Sequence, residues 1–402
     1  MLNWRYLVSG PGRAVPVLSV TQILSWGMLI YPPVLTMPHL AAAHGWSVAF
    51  GMAGFSFGLI VSGLLSPCVG GLIDRHGGNA VMASGALAGG LGFASMPFAM
   101  HPAAYFACWL LLGMAMATNL YDPAFATLTR IFGATARRQI TFVTFAGGFA
   151  STVGWTATHL LLAKFGWQGT YVAFAAVFAF VVAPLHAFAL PRPTATLPAP
   201  VAEAASDTSP AAFLSPQGAP FILLAAAFAL YGFILSGVTS NLLALLMRGG
   251  LDAASAVAVG AMFGPAQVAS RLADFALAGR THPLWIARAA VVVMVSAFAL
   301  LALLGVSFPV AAVFAVAIGT ANGVVTIVRG ALPLLMFGPV GYGRVLGRIA
   351  RPVQFVQAVA PFVVASAVET LPDRSVLVLA TCGALAVLAC FIGIKAPGKA
   401  RR

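Results

Sequence analysis

"PRPTATLPAPVAEAASDTSPAAFLSPQG", residues 191–218, is the one long stretch of this 402-residue chain without apolar periodicity. Proline, alanine, serine and threonine dominate it, a composition that buries little surface and marks a linker. Everything on either side has the opposite character. The chain is 61% hydrophobic and 7% charged, with a mean hydropathy of +0.98, whereas a soluble domain carries about a quarter charged residues. Apolar runs of some twenty residues, enough to cross about 30 Å of hydrocarbon, fall near 15–37, 47–69, 80–100, 103–129, 139–163, 168–190, 219–246, 253–278, 284–305, 309–336, 345–368 and 374–394. Six precede the linker and six follow it. The expected fold is therefore an all-α membrane protein: twelve transmembrane helices in two pseudo-symmetric six-helix bundles, 1–190 and 219–402, joined by the linker 191–218.

Basic residues orient the chain. Of 21 Lys and Arg, sixteen lie at the termini and in the even-numbered connections, three in the odd-numbered ones, and Arg271 and Arg329 fall within helices. The positive-inside rule then puts both termini and the linker in the cytoplasm of a multi-pass inner (plasma) membrane protein. The net charge of +13 faces the anionic inner leaflet of the lipid bilayer and calls for no nucleic-acid partner. "MLNWRYLVSGPGR" runs into a first apolar segment long enough to remain a span, so no cleaved signal peptide is expected. Cys68, Cys108, Cys382 and Cys390 lie in apolar runs without a CxxC, so neither disulfides nor a metal site is suggested. No His/Cys cluster, paired carboxylates or activated serine points to an enzyme, and no cofactor is implied.

A weak internal repeat relates the two sets of helices. The fourth run ends "ATNLYDPAFATLTRIFG" and the tenth ends "GTANGVVTIVRGALPLLMFG", each with an Asn several turns before a closing Phe-Gly and a basic loop beyond it. Two related halves of this kind are the sequence sign of a secondary transporter with its site at the repeat interface.

After the second run comes "GGLIDRHGG", residues 70–78. It resembles the loop 2–3 signature of the major facilitator superfamily, Gly-x-Leu-x-Asp-Arg-x-Gly followed by basic residues. The resemblance implies the major facilitator fold and a loop that stabilises one conformation. Gly71 would allow two helices to approach closely, Asp74 and Arg75 would lock the halves through helix ends, and Gly77 closes the motif. Gly78 and Asn79 replace the usual basic pair, which implies a weaker lock.

"HGWSVAFGMAGFSFGLIVSGLLSPCVGGLIDRHG" is similar, more narrowly, to the branch of monocarboxylate and oxalate/formate carriers, in which Gly-Trp-Ser opens helix 2. That branch's helix 8 pattern, Asp-x-x-x-Arg, maps onto Gln267 and Arg271; the Arg is kept and the acid, the proton site, is not. The lysines that the branch carries in helices 1 and 11 are absent as well.

Polar residues inside the spans mark the expected site, because intramembrane polar groups face a wet interior. On helical spacing, Gln267 and Arg271 share a face, as do Asn322, Thr326 and Arg329. With Asn119, Gln22, Gln357 and Trp155 they form the candidate substrate-binding set: Arg271, Gln267, Asn322, Asn119, Gln22, Gln357 and Trp155. Arg271 has three readings: ligand of an anionic substrate, structural partner of Asp274 one turn away, or part of a second copy of the loop motif. Asp122 and Arg329, at matching depths in the repeat-related helices, are the candidate gate or proton-coupling pair. Pro123, Pro265 and Pro361 are expected to kink their helices.

The expectation is thus a monomeric secondary active or facilitated transporter of a small organic solute, a carboxylate-bearing anion, working by alternating access as a symporter, antiporter or facilitator, with a coupled proton open. Two alternatives stand beside it: an efflux permease for toxic metabolites or drugs, and a vitamin importer, for example of riboflavin.

Overall fold

In the computed structural model, residues 10–192, 213–276 and 281–394 are described, and they are helical apart from turns. The long apolar helices are α1 (Pro11–His44), α2 (Val48–His76), α3 (Gly78–Phe98) and α4 (Pro102–Thr135), then a stretch from Arg137 to Ala189, then α7 (Ala219–Arg248), α8 (Ala253–Ala276), α9 (Pro283–Leu304), α10 (Phe308–Phe337), α11 (Tyr342–Thr370) and α12 (Arg374–Gly393). The Arg137–Ala189 stretch has 53 residues, which a straight helix would extend to roughly 80 Å, more than twice the hydrocarbon thickness. It crosses twice. Gly166, at φ 65°, breaks it into α5 (137–165) and α6 (167–189), so the eleven long helical stretches of the described residues make twelve crossings.

Three helices of the first six are broken within the membrane. α1 divides into Ala14–Leu29 and Pro33–His44, α4 into Pro102–Asn119 and Tyr121–Phe132, and α5 into Arg137–Gly147 and a second part starting at Ala150. Proline lacks the donor for the carbonyl four residues back. Behind Pro123 that carbonyl belongs to Asn119, and Gln22 of α1 covers it with an Nε2 hydrogen bond of 2.7 Å. The break expected at Pro123 is therefore present. α8 and α11 run through Pro265 and Pro361 without a break of that kind. The carbonyl freed by Pro361, that of Gln357, takes a 3.2 Å hydrogen bond from the Ser236 hydroxyl of α7. At the start of α8, Asp252 caps the helix by accepting from the Ser255 amide and hydroxyl, bonds that hold its carboxyl below the usual carboxylate range.

Packing follows the division at the linker. One buried apolar cluster is drawn wholly from residues 221–394, and two others come from α1–α6 with Leu334, Tyr342, Leu346 and Ala358 joining from across. α2 lies along α11, from Gly70 against Gly343 and Ser66 against Gly347 to the Ser56 hydroxyl, which donates to the Ala358 carbonyl at 3.0 Å. The remaining contacts between the two sets gather at the end bearing Asp74: the Arg137–Gly147 part of α5 meets α8 and α10, and the Tyr121–Phe132 part of α4 meets α10 and α11. α1, α7 and the later part of α5 pack chiefly within their own six helices. The molecule is closed at the Asp74 end.

Candidate substrate site

α8 places Gln267 and Arg271 four residues apart on one face, and that face lies against both α10 and α5. Arg271 is only 4% exposed. Its Nη1 donates to the Thr144 carbonyl at 2.8 Å and its Nε to the Gly323 carbonyl at 3.4 Å. Its Nη2 reaches Gln267 Oε1 at 3.2 Å and Thr326 Oγ1 at 3.5 Å. Thr144 sits in the last turn of the first α5 segment, where its carbonyl also accepts from the Gly148 amide, at the negative end of the helix dipole. A cation is held there by dipoles alone. Among the described residues no carboxylate forms an ion pair with Arg271, and the charged neighbour of Asp274 is Arg137.

Tyrosines complete the surroundings. Tyr31 of α1, Tyr121 of α4 and Tyr231 of α7 all lie within electrostatic reach of the guanidinium, and the Tyr121 hydroxyl lies against Gly147 of α5. The Tyr231 hydroxyl donates to Asn322 Oδ1 at 3.4 Å. Trp155 stands edge-on to Tyr31 with ring centroids 6.5 Å apart, and Trp26 lies 4.8 Å from Tyr121. Sequence reasoning placed Trp155 and Asn322 in the set and overlooked Tyr31, Tyr231 and Thr326 as neighbours of Arg271. A Tyr in an apolar run looks like packing; only its distance from the buried cation says otherwise.

Two expected ligands are engaged elsewhere. Gln22 is fully buried, bonded to the Asn119 carbonyl and accepting from Trp26 Nε1 at 3.2 Å. Asn119 is also fully buried and faces α3 and α6; with its amide oriented to pair both ends, it donates to the Met82 carbonyl and His186 Nδ1 and accepts from the Ala86 amide. Gln357 lies at the seam of α11 with α7, its amide beside Gly232.

Nearer the Asp74 end, Arg329 Nη2 and Asp122 Oδ2 form an ion pair at 2.6 Å that joins α10 to α4. Beside it, the Tyr342 hydroxyl donates to the Gly330 carbonyl at 2.7 Å. A water-sized void of about 10 Å³, lined by Asp122, Ser66, Gly343 and Gly347, adjoins the pair. At the end itself, Asp74 accepts from the Gly343 and Arg344 amides, both at 2.8 Å. It thereby caps the first turn of α11, where the dipole favours an anion. Arg130 holds the Asp74 and Arg75 carbonyls, while Arg75 itself is exposed. Gly77, at φ 83°, is the whole connection from α2 to α3.

One element of the motif needs correction. The close approach expected at Gly71 occurs at Gly70, where a Cβ would run into the Gly343 carbonyl; Gly71 has open space around it. One residue is about 100° of helix, so only one of two adjacent glycines can face α11. Asn79, in place of the usual basic residue, donates to the Leu190 carbonyl at 2.8 Å and the His186 carbonyl at 3.3 Å, closing the end of α6.

A family model, "Major Facilitator Superfamily", matches residues 17–350. The chain belongs to that superfamily. Its fold is shared with the human organic anion transporter MFSD10 (TETRAN), at TM-score 0.74 and 17% identity over 95% of this chain and 99% of that one. The major facilitator transporter FucP, in its outward conformation, gives TM-score 0.67 and 12% identity over 95% of this chain and 98% of that one. A second structure of FucP, the E. coli fucose:proton symporter, gives TM-score 0.65 and 13% identity over the same shares. No curated protein sequence matches the chain. Major facilitator proteins are multi-pass membrane transporters of small molecules, not enzymes, and so is this one.

Proposed function

We propose that the protein carries a small organic anion of the carboxylate class across the inner membrane by alternating access, its two six-helix bundles (1–190 and 219–402) rocking about a site on Arg271 while the Asp74 end faces the cytoplasm. One observation carries this reading: Arg271 is buried and has no carboxylate partner among the described residues. A lone Arg at the helix centre costs about 2.5–3.5 kcal/mol even on insertion scales, and a charge-assisted contact returns about 1.5–3 kcal/mol. An anionic solute offsets what dipoles leave uncovered. Asp122 and Arg329 join α4 to α10 across the bundles, which suits a gate that must open when the cavity turns inward. One solved neighbour is described as an organic anion transporter; the reading rests on Arg271, not on that likeness.

A second reading has its own support. Tyr31, Tyr121 and Tyr231 converge near Arg271, and Tyr231 bonds Asn322, which favours a flat solute such as riboflavin. Thermal unfolding of the detergent-purified protein against carboxylates and riboflavin separates the two, because a ligand that binds only the native fold raises the midpoint. Stabilisation by a carboxylate that disappears in Arg271→Ala supports the anion reading. Stabilisation by riboflavin that survives Arg271→Ala supports the other.

A further inference from the structure

We infer that the solute is an aromatic monocarboxylate, its carboxylate on Arg271 and its ring against Tyr31 and Trp155. This rests on Arg271 being the anion ligand and goes on to say which anion.

Charge counting sets the number of carboxylates. Among the described residues, the cations within the helices near the site are Arg271 and Arg329, and Arg329 is matched by Asp122 at 2.6 Å. One negative charge neutralises what remains, and a dicarboxylate would bring a surplus. The amides next limit the rest of the molecule. A polyol or sugar needs paired donors and acceptors on both walls. On the α1–α6 side, Gln22 and Asn119 are both consumed by backbone carbonyls and by each other's helices. What that wall presents instead is aromatic. Trp155 packs edge-on against Tyr31 at an interplanar angle of 80°, and Tyr31 lies within electrostatic reach of Arg271. Trp26 has its N–H committed to Gln22 and its ring against Tyr121, which in turn stacks on Phe125 at 5.3 Å and 11°.

Spacing gives the size. A Cβ at Gly148 would stand 2.8 Å from Arg271 Nη1, so Gly148 marks the depth of the guanidinium on α5. Trp155 follows seven residues later, and because Gly148 and Phe149 keep right-handed helical dihedrals across the break in α5, the separation is roughly 10 Å at 1.5 Å per residue. A carboxylate and a ring two or three bonds apart fill that span. Trp155 then adds an edge-to-face or offset contact that a saturated ring does not make.

The test measures binding to purified full-length protein of four probes: 3-phenylpropanoate, its saturated analogue 3-cyclohexylpropanoate, the neutral 3-phenylpropanamide, and riboflavin. The expected result is that 3-phenylpropanoate binds about five-fold more tightly than the saturated acid and at least about ten-fold more tightly than the amide. Trp155→Leu is expected to bring the two acids to equal affinity. Tyr31→Phe, which keeps the ring, is expected to retain the preference. Equal binding of the two acids, or a preference that persists in Trp155→Leu, overturns this inference and leaves the anion reading standing. Failure of both acids to bind, or acid binding untouched by Arg271→Ala, overturns both. Riboflavin binding more tightly than either acid overturns both in favour of a neutral flat solute.

Discussion

Asp122 and Arg329 lie 207 positions apart and were legible as a couple because the fourth and tenth helices repeat one another. Gln22 and Asn119 were equally visible as polar residues in apolar runs, yet their work is local: Pro123 strips a donor from the Asn119 carbonyl and Gln22 supplies it. The proline was in view, but the helix that would answer it was not, since one sequence does not say which helix is its neighbour. At the proposed gate, removing either charge leaves the other unpaired and partly buried, a loss below the roughly 3–5 kcal/mol of a fully buried pair. Asp122→Asn is therefore expected to favour opening at the Asp74 end, and the exchange Asp122→Arg with Arg329→Asp to restore closure. Accessibility of a cysteine placed at Ser66 to a membrane-impermeant thiol reagent reads both. If Asp122 also carries the proton, Asp122→Asn abolishes accumulation driven by a pH gradient in proteoliposomes but spares counterflow exchange. Gradient-driven uptake that persists in this variant removes Asp122 from coupling.

At the scale of the element, the broken α5 is what gives Arg271 a partner across the bundles. Its first segment ends at Gly147 with the Thr144 carbonyl facing the guanidinium, and the bond exists only while the two sets of helices are together. Gly148→Ala brings a Cβ to 2.8 Å from Nη1 and is expected to push the guanidinium off Thr144. The predicted outcome is a lower unfolding midpoint without ligand and a larger midpoint rise with a carboxylate, because the donor is released for it. A ligand-induced rise smaller than that of the unsubstituted protein would contradict the arrangement. The adjacent glycines of α2 give a second comparison. Gly70→Ala drives a Cβ into the Gly343 carbonyl, whereas Gly71→Ala meets nothing within 4 Å. The first is expected to destabilise the closed end, while the second is neutral or stabilising by up to about 1 kcal/mol through helix propensity. The motif was recognisable as letters, but which glycine touches α11 is a matter of helical phase. Phase shifts with each residue, and a charged turn carries no apolar stripe to fix it.

For the whole molecule, composition and the linker were enough to expect twelve crossings in two sets of six, because the cost of backbone in hydrocarbon leaves few other choices. They do not say which end is closed. That depends on a few bonds between surfaces that look alike in sequence, among them Asp74 on the amides of Gly343 and Arg344 and Arg137 on the Thr281 carbonyl. A capping carboxylate at a helix N-terminus contributes about 0.3–1 kcal/mol when exposed and up to about 2 kcal/mol when partly buried. Asp74→Asn is thus expected to raise the population open at this end by about two-fold to thirty-fold relative to the closed one. Spin labels at Arg75 and Arg344, both exposed and on opposite bundles, in a background where the native cysteines are replaced, report the separation directly. The labelled protein should give a short distance that dominates without ligand and a longer one that grows in Asp74→Asn. A carboxylate shifts this balance only as far as its affinities for the two states differ. If transport runs through Arg271, substrate should enlarge the long-distance fraction in the parent protein and in Asp74→Asn, and leave it unchanged in Arg271→Ala. A distribution insensitive to Asp74→Asn would mean that the cap does not hold the closed end, and would leave that work to the ion pair of Asp122 with Arg329 and to the bonds of Arg271 to Thr144 and Arg137 to Thr281.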